Sequence, residues 1–118
     1  MLASTERLDG TPLVVVTGEI DHGSSSALQS EIEPCLDGGE TTILLDLKDV
    51  TYMDSGGISV LLYTVRRLRR GNGWLGVVSP NTNVRRLLKI VGLEVDSGFR
   101  VFDDKESAAT AIREMSTP

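Results

Sequence analysis

Apolar segments of two different periods alternate along this chain, and the alternation restricts the folds open to it. Short runs of β-branched and large aliphatic residues predict four buried strands, over residues 13–17, 41–47, 74–78 and 100–102. After each strand, apolar residues recur every three or four positions, which predicts amphipathic helices. These apolar helix positions are Leu28, Ile32, Cys35 and Leu36, then Ile58, Leu61, Leu62, Val65 and Leu68, then Val84, Leu87, Leu88 and Val91, and last Ala108, Ile112 and Met115. Strands and helices in this order predict a parallel sheet with right-handed helical crossovers.

A further candidate strand opens the chain. Residues 2–8 predict a short strand, and the turn chemistry of residues 9–12 (Asp-Gly-Thr-Pro) joins it to the strand at 13–17, so the two predict a hairpin. A length of 118 residues leaves room for one domain. We therefore expect a single α/β domain over residues 1–118, with a mixed, mostly parallel sheet and an N-terminal hairpin.

Local signals predict where the helices begin and end. The serines at 24–26 offer N-caps to the first helix, and Pro34 predicts a kink or an early end there because it removes a backbone donor. The Gly-Asn-Gly sequence at 71–73 ends the second helix. Asp103 with Glu106 three residues later resembles a capping box for the last helix.

Composition excludes several classes of protein. With 40% hydrophobic and 25% charged residues the chain is expected to be globular. Its longest apolar runs are as short as residues 13–16, whereas a membrane span needs about 18 residues, and the N-terminal residues carry no apolar signal core. We expect a cytoplasmic protein. The one cysteine, Cys35, and the one histidine, His22, predict no disulfide, no Cys/His metal cluster and no cofactor.

Charge is unevenly distributed along the chain. The net charge is -5, yet no acidic residue lies between positions 55 and 93, and that stretch carries seven basic ones. They are Arg66, Arg67, Arg69, Arg70, Arg85, Arg86 and Lys89. The chain has five aromatic residues, none interleaved with these arginines, so a stacking platform for nucleic acid is not expected. Two interpretations stay open: a surface for a partner protein with an acidic patch, or the solvated faces of two helices.

In such sheets the functional residues usually lie in the loops that follow the carboxyl ends of the strands. Here these loops are residues 18–26 and 49–57. The second loop contains Asp54-Ser55-Gly56-Gly57. A trypsin-like nucleophile is disfavoured by the chain length and by the residues flanking Ser55 and His22. A match to a phosphodegron is also disfavoured, because it overlaps a predicted core helix. Ser55 could instead cap the helix, with Gly56 and Gly57 leaving amides open to a partner or a phosphate. A plain N-cap with tight-turn glycines explains the same four residues.

The larger pattern resembles the STAS domain of bacterial anti-sigma factor antagonists. The matching segments are Gly18-Glu19-Ile20-Asp21, Leu44-Leu45-Asp46-Leu47 with Val50, Met53 through Leu61, Ser79-Pro80, Val84-Arg85-Arg86-Leu87-Leu88 and Val91-Gly92-Leu93. The resemblance runs from about Leu8 to Ile112. It implies a small α/β domain whose helices cover mainly one face of a mixed sheet.

The resemblance also implies a function and a site. In that family the residue at the position of Ser55 is phosphorylated by a partner serine kinase that doubles as the anti-sigma factor. The unphosphorylated protein binds the kinase and frees the sigma factor. The phosphorylated protein releases the kinase until a PP2C-type phosphatase removes the phosphate. The acidic residue near the phosphorylated serine matches Asp21, and Asp54, Gly56, Gly57 and His22 lie beside it. The family usually has Ser or Thr where this chain has Gly56.

Other functions are also considered. The chain could be a STAS scaffold or an accessory subunit of a transporter or sensor complex, in which Ser55 is never phosphorylated. A hydrolase using Ser55 as nucleophile is the weakest alternative, because His22, expected in an exposed polar turn, supplies no oriented base. We therefore expect no enzyme activity. Cys35 is expected to be a small core residue, and the sequence predicts no oligomeric state.

Overall fold

The computed structural model describes residues 1–115, so the last three residues of the predicted domain lie outside it. Five strands, four α-helices and one short 3-10 helix occur among the described residues. In chain order they are β1 Leu2–Leu8, β2 Thr11–Ile20, α1 Ser25–Asp37, β3 Thr42–Met53, α2 Ser55–Arg69, β4 Trp74–Val78, α3 Thr82–Ile90, the 3-10 helix Leu93–Val95, β5 Phe99–Phe102 and α4 Lys105–Met115. No helix within residues 1–115 is both long and apolar enough to cross a bilayer.

The strands form one mixed sheet in the order β1-β2-β3-β4-β5. The hairpin pair β1 and β2 is antiparallel, and every later pair is parallel. Each crossover from β2 onward moves to the next strand on the same side, and right-handed crossovers of that kind keep their helices on one face. The predicted α/β class, the hairpin and the mixed, mostly parallel sheet are confirmed.

Side-chain alternation along the strands gives the sheet two apolar faces. One face packs against α1, α2 and α3 and includes the buried residues Val14, Val16, Leu45 and Val77. Intervening residues such as Leu13, Leu44 and Trp74 point to the other face, where Ala108 and Ile112 of α4 cover them. α4 follows the last strand and is not a crossover, so it is free to fold back on that second face. The expected arrangement, with helices mainly on one face, is therefore present.

The strand predicted over residues 41–47 is longer than expected, because β3 continues to Met53. β4 pairs with β3 only as far as Asp46, whereas β2 accompanies β3 to its end. The second half of β3 thus has one neighbour, and its Lys48 and Tyr52 side chains are exposed. Polar and aromatic residues are acceptable at such an edge. Of the loop predicted over residues 49–57, only Asp54 lies between the end of β3 and the start of α2.

The predicted early end of α1 and the predicted cap of α4 are wrong. α1 does not stop at Pro34 but continues to Asp37, and the Gly38 N–H donates to the Pro34 carbonyl at 2.9 Å. Pro34 lies on the exposed side, while Leu36 packs in the core. At α4, the carboxylate that accepts a first-turn amide is that of Asp104, bound to the Ser107 N–H at 2.7 Å, and not that of Asp103.

Candidate functional site

The sheet register brings the two predicted functional loops together. Ile20 at the end of β2 lies opposite Met53 at the end of β3. The Asp54 N–H, one residue further, donates to the Ile20 carbonyl at 3.1 Å. The turn that follows β2 and the first residues of α2 are therefore neighbours in space, although they are more than 30 residues apart in sequence.

Asp54 caps α2, and Ser55 does not. The Asp54 backbone is extended and its Oδ1 accepts from the Gly56 N–H at 2.7 Å, which is the geometry of an N-cap. The sequence offered Ser55 as the cap, but Ser55 is the first residue of the helix and its side chain is exposed. The Ser55 hydroxyl is therefore not used as the helix cap, and it lies at the positive end of the dipole of a 15-residue helix.

The turn after β2 is closed by Asp21 and Ser24. The Ser24 N–H donates to Asp21 Oδ1 at 3.0 Å, the Asp21 N–H donates to Ser24 Oγ at 3.0 Å, and Ser24 Oγ lies 3.1 Å from Asp21 Oδ1. These hydrogen bonds from Ser24 lower the pKa of the Asp21 carboxyl. The predicted phosphosite neighbour Asp21 thus lies in the expected turn, with its carboxylate engaged by Ser24.

His22 reaches Ser55 from that turn. Its Nε2 lies 3.1 Å from Ser55 Oγ, and either tautomer allows a hydrogen bond. The ring is exposed, as expected, but the sequence did not predict this partner. The expectation that His22 supplies no oriented base is wrong only about its position, because the imidazole does contact Ser55 Oγ. A Ser-His-Asp arrangement also needs a carboxylate on the histidine, and the adjacent carboxylate, of Asp21, is bound to Ser24.

Gly56 and Gly57 are sites of close packing. A Cβ on Gly56 would lie 2.9 Å from His22 Cα and 3.0 Å from His22 N. A Cβ on Gly57 would lie 2.5 Å from Met53 Cγ and 2.9 Å from Ile20 Cγ2. The two glycines let the first turn of α2 sit against the end of β2. The prediction that their amides are open to a partner is wrong for Gly56, because its N–H is bound to the N-cap.

One exposed face of α2 leads away from Ser55. At intervals of three or four residues it carries Ser55, Ser59, the half-buried Leu62 and Arg66, with Arg70 directly past the helix end. Ser59 Oγ donates to the Ser55 carbonyl at 2.9 Å. Arg66 lies eleven residues after Ser55, or about 16 Å along the axis.

The predicted basic surface divides into two groups. Arg67 donates to Glu33 at 2.7 Å and lies 3.3 Å from Asp37, and this contact lowers the pKa of Glu33. Arg69 pairs with Asp96, and Arg85 lies 3.0 Å from Asp103 and 3.5 Å from Glu94. These three arginines join elements of the fold. Within the part of the chain that the structure describes, no ion pair involves Arg66, Arg70, Arg86 or Lys89.

An apolar groove beside the site was missed in the sequence. It has a volume of about 360 Å³ and lies between the end of β3 and α3. Tyr52 is 49% exposed and Ile90 is 73% exposed at this groove, and Arg86 lines it as well. The sequence contained one sign of this groove: neither Tyr52 nor Ile90 belongs to the buried apolar stripe of its strand or helix.

No group of three or more histidine, cysteine, aspartate or glutamate side chains within residues 1–115 is arranged to hold a metal ion. Cys35 packs half-buried against the core of the helical face, and burial raises the pKa of its thiol.

The fold and the site define a small α/β domain that presents one serine hydroxyl at an exposed helix start. The model of the STAS domain matches residues 3–108, and the chain belongs to the STAS domain family. It is 33% identical over 81 residues to the anti-sigma-B factor antagonist of Bacillus subtilis, covering 69% of this chain and 73% of that protein. Such antagonists are regulatory binding proteins and not enzymes.

Solved structures support the same assignment. An anti-sigma factor antagonist from Mycobacterium paratuberculosis superimposes with a TM-score of 0.83 at 30% identity, covering 95% of this chain and 93% of that one. The Bacillus protein SpoIIAA in its phosphorylated form gives a TM-score of 0.76 at 23% identity, covering 95% and 100%. The fold also occurs in the murine anion transporter Slc26a9, with a TM-score of 0.73 at 17% identity, covering 92% of this chain and 18% of that one.

Proposed function

We propose that this protein is a cytoplasmic anti-sigma factor antagonist. In this proposal it binds a serine-kinase anti-sigma factor while Ser55 is unphosphorylated, which releases a sigma factor, and phosphorylation of Ser55 ends the binding. A PP2C-type phosphatase restores the binding form. The names of the curated relatives support the class of partner, and the SpoIIAA structure in its phosphorylated form supports this kind of switch.

The observation that carries the proposal is the position of Ser55. Its hydroxyl is exposed at the first residue of α2, where Asp54 already supplies the cap. A kinase can therefore reach it without unfolding the helix. A phosphate there would lie at the positive end of the helix dipole, so the fold tolerates the added charge of about -1.5 to -2.

The same charge would disrupt a docked complex. A partner covering the start of α2 must remove water from Ser55 and from the neighbouring Asp54 carboxylate, and a phosphate adds negative charge to that surface. Desolvating a charge without a complementary group commonly costs about 2 to 5 kcal/mol, or more than tenfold in affinity. Loss of binding thus needs no rearrangement of the domain.

The exposed face of α2 and the apolar groove supply a surface for such a partner. Four of the predicted basic residues form no ion pair within residues 1–115: Arg66 on α2, Arg70 directly past its end, Arg86 at the groove and Lys89 on α3. An acidic patch on the partner suits them. Tyr52 and Ile90 offer apolar contact area in the groove, which Arg86 also lines.

Mass spectrometry tests the phosphorylation site. The protein is incubated with ATP and a candidate anti-sigma factor kinase from the same organism, and its intact mass is recorded. We expect one added phosphate in the wild type and none in Ser55→Ala. Ser59→Ala, one helical turn further on the same exposed face, is the matched control and should be phosphorylated normally. Equal phosphorylation of Ser55→Ala and the wild type would refute the assignment.

Calorimetric titration tests the switch. Ser55→Asp places a carboxylate at the first helix residue, where the dipole favours it by about 0.3 to 1 kcal/mol, so the melting temperature should change little. Binding to the kinase should weaken at least tenfold. Equal affinity of wild type and Ser55→Asp would mean that Ser55 lies outside the interface.

The alternative role as a STAS subunit of a transporter or sensor complex rests on the fold, which Slc26a9 shares. It predicts stable association with a larger complex and no effect of Ser55→Asp on that association. Affinity purification of the wild type and Ser55→Asp from the native organism, at matched expression, separates the two roles.

A further inference from the structure

We infer that His22 holds the side chain at position 55 in both states of the switch, as a partner of the serine hydroxyl and then as a donor to the phosphate. This inference rests on the proposed phosphorylation of Ser55 and assigns a positioning role to a residue outside α2. The observation behind it is the 3.1 Å contact between His22 Nε2 and Ser55 Oγ.

The backbone of His22 is fixed although its ring is exposed. On one side, the hydrogen bonds between Asp21 and Ser24 close the turn that carries it. On the other side, its Cα and N lie close to the Cα of Gly56, at a separation that leaves no room for a Cβ there. The imidazole therefore reaches Ser55 from a turn whose backbone is held on both sides.

The hydrogen-bonding chemistry changes on phosphorylation. A serine hydroxyl both donates and accepts, so it pairs with Nε2 in either tautomer of the neutral ring. A phosphate oxygen without a proton only accepts. The contact then requires a hydrogen on Nε2, supplied either by the Nε2–H tautomer or by the imidazolium, and the exposed ring exchanges that proton with water. Phosphorylation should thus fix the histidine as an Nε2 donor.

The charged groups around the ring leave this role to His22. The Asp21 carboxylate, in the same turn, accepts from the Ser24 N–H, and the Asp54 carboxylate, at the start of α2, accepts from the Gly56 N–H. Both carboxylates are therefore engaged by backbone amides and not by the imidazole. The nearest arginine on the same face of α2, Arg66, lies about 16 Å along the helix. His22 is the side chain within hydrogen-bond distance of Ser55 Oγ that can carry a positive charge.

The test places phosphoserine at position 55 of the full chain during translation, so it needs no kinase. Phosphorus NMR follows the second ionisation of the phosphate between pH 4 and 9, in the wild type and in His22→Phe. Phenylalanine keeps an aromatic ring but has no N–H donor. We expect a lower phosphate pKa in the wild type than in His22→Phe, by about 0.2 to 0.7 pH unit, as for an exposed charge pair.

Three further measurements make the result specific. Nitrogen NMR of the one histidine should show hydrogen on Nε2 in the phosphoprotein. Phosphoserine at Ser97 is the control: it lies beside Asp96, which pairs with Arg69 at the opposite end of α2, so His22→Phe should leave its titration unchanged. His22→Gln, which retains a neutral donor, should give an intermediate phosphate pKa. It replaces His22→Phe in the comparison if the latter does not fold.

An identical phosphate titration at position 55 in the wild type and the His22 variants would overturn the inference. So would equal shifts at positions 55 and 97, because a general field would then explain them. The proposed function fails separately, when the kinase assay leaves Ser55 unmodified, since the phosphoserine experiment does not depend on any kinase.

Discussion

Substitution of Gly56 by alanine is expected to destabilise the protein and to loosen the site. The new Cβ would lie 2.9 Å from His22 Cα and 3.0 Å from His22 N, with the Asp54 cap oxygen at 3.1 Å. The first two atoms are backbone of a turn closed by Asp21 and Ser24, so they cannot move aside as a flexible side chain does. Overpacking of this kind costs about 1 to 3 kcal/mol.

A smaller effect opposes this cost. Alanine is favoured over glycine inside a helix by up to about 1 kcal/mol, and less in the first turn. The net loss in unfolding free energy should therefore be about 1 to 2 kcal/mol. For a chain of this size that corresponds to a fall in melting temperature of roughly 3 to 10 °C. Urea and thermal unfolding, followed by circular dichroism, measure both quantities.

Gly71→Ala provides the matched control. Gly71 has no positive φ, and a Cβ there would meet its nearest atoms at 3.9 Å. This substitution should be neutral or stabilise by about 0.4 to 1 kcal/mol through the unfolded state. If Gly56→Ala proved as stable as Gly71→Ala, the turn at His22 would have to be pliable, and the reasoning on a rigid turn would be refuted.

Three further predictions follow from the contacts of α2. Asp54→Ala should lower the unfolding free energy by about 1 kcal/mol through loss of the N-cap, whereas Asp54→Asn should lose little, as measured by urea unfolding. Arg67 lowers the pKa of Glu33, so the ionised carboxylate stabilises the fold at neutral pH, and that stabilisation is lost as the pH falls below about 4.5. Melting curves between pH 7 and 3 should show a shallower decline in Glu33→Gln. Arg66→Glu should slow association with the partner kinase at low salt without changing the melting temperature, whereas Arg67→Glu should lower the melting temperature; stopped-flow binding and calorimetry check both.

The fold class followed from local patterns. The strand predicted at residues 74–78 is observed with those bounds, because both of its faces are buried and its apolar run is continuous. The end of β3 could not be predicted in the same way. Lys48 and Asp49 look like loop residues, and only the pairing with β2, on a stretch that β4 does not reach, makes them part of a strand.

The helix caps show the same limit at shorter range. Asp54 and Ser55 are both good N-cap residues, as are Asp103 and Asp104 for α4. The choice between neighbours depends on where the preceding strand stops, and the Asp54 N–H bound to the Ile20 carbonyl fixes that position for α2. The Asp-Ser-Gly-Gly segment was evident in the sequence as the junction between a strand and a helix, but the roles of its residues were not.

By itself the sequence determined the alternating α/β architecture, the hairpin and the segment around Ser55, because these depend on residues close together along the chain. The tertiary structure alone decided that His22 contacts Ser55, 33 residues away. That contact exists because the register sets Ile20 opposite Met53 and because Gly56 has no side chain to keep the turn away. The division of the arginines has the same origin, since Arg67 finds Glu33 only after α1 and α2 have packed on one face of the sheet.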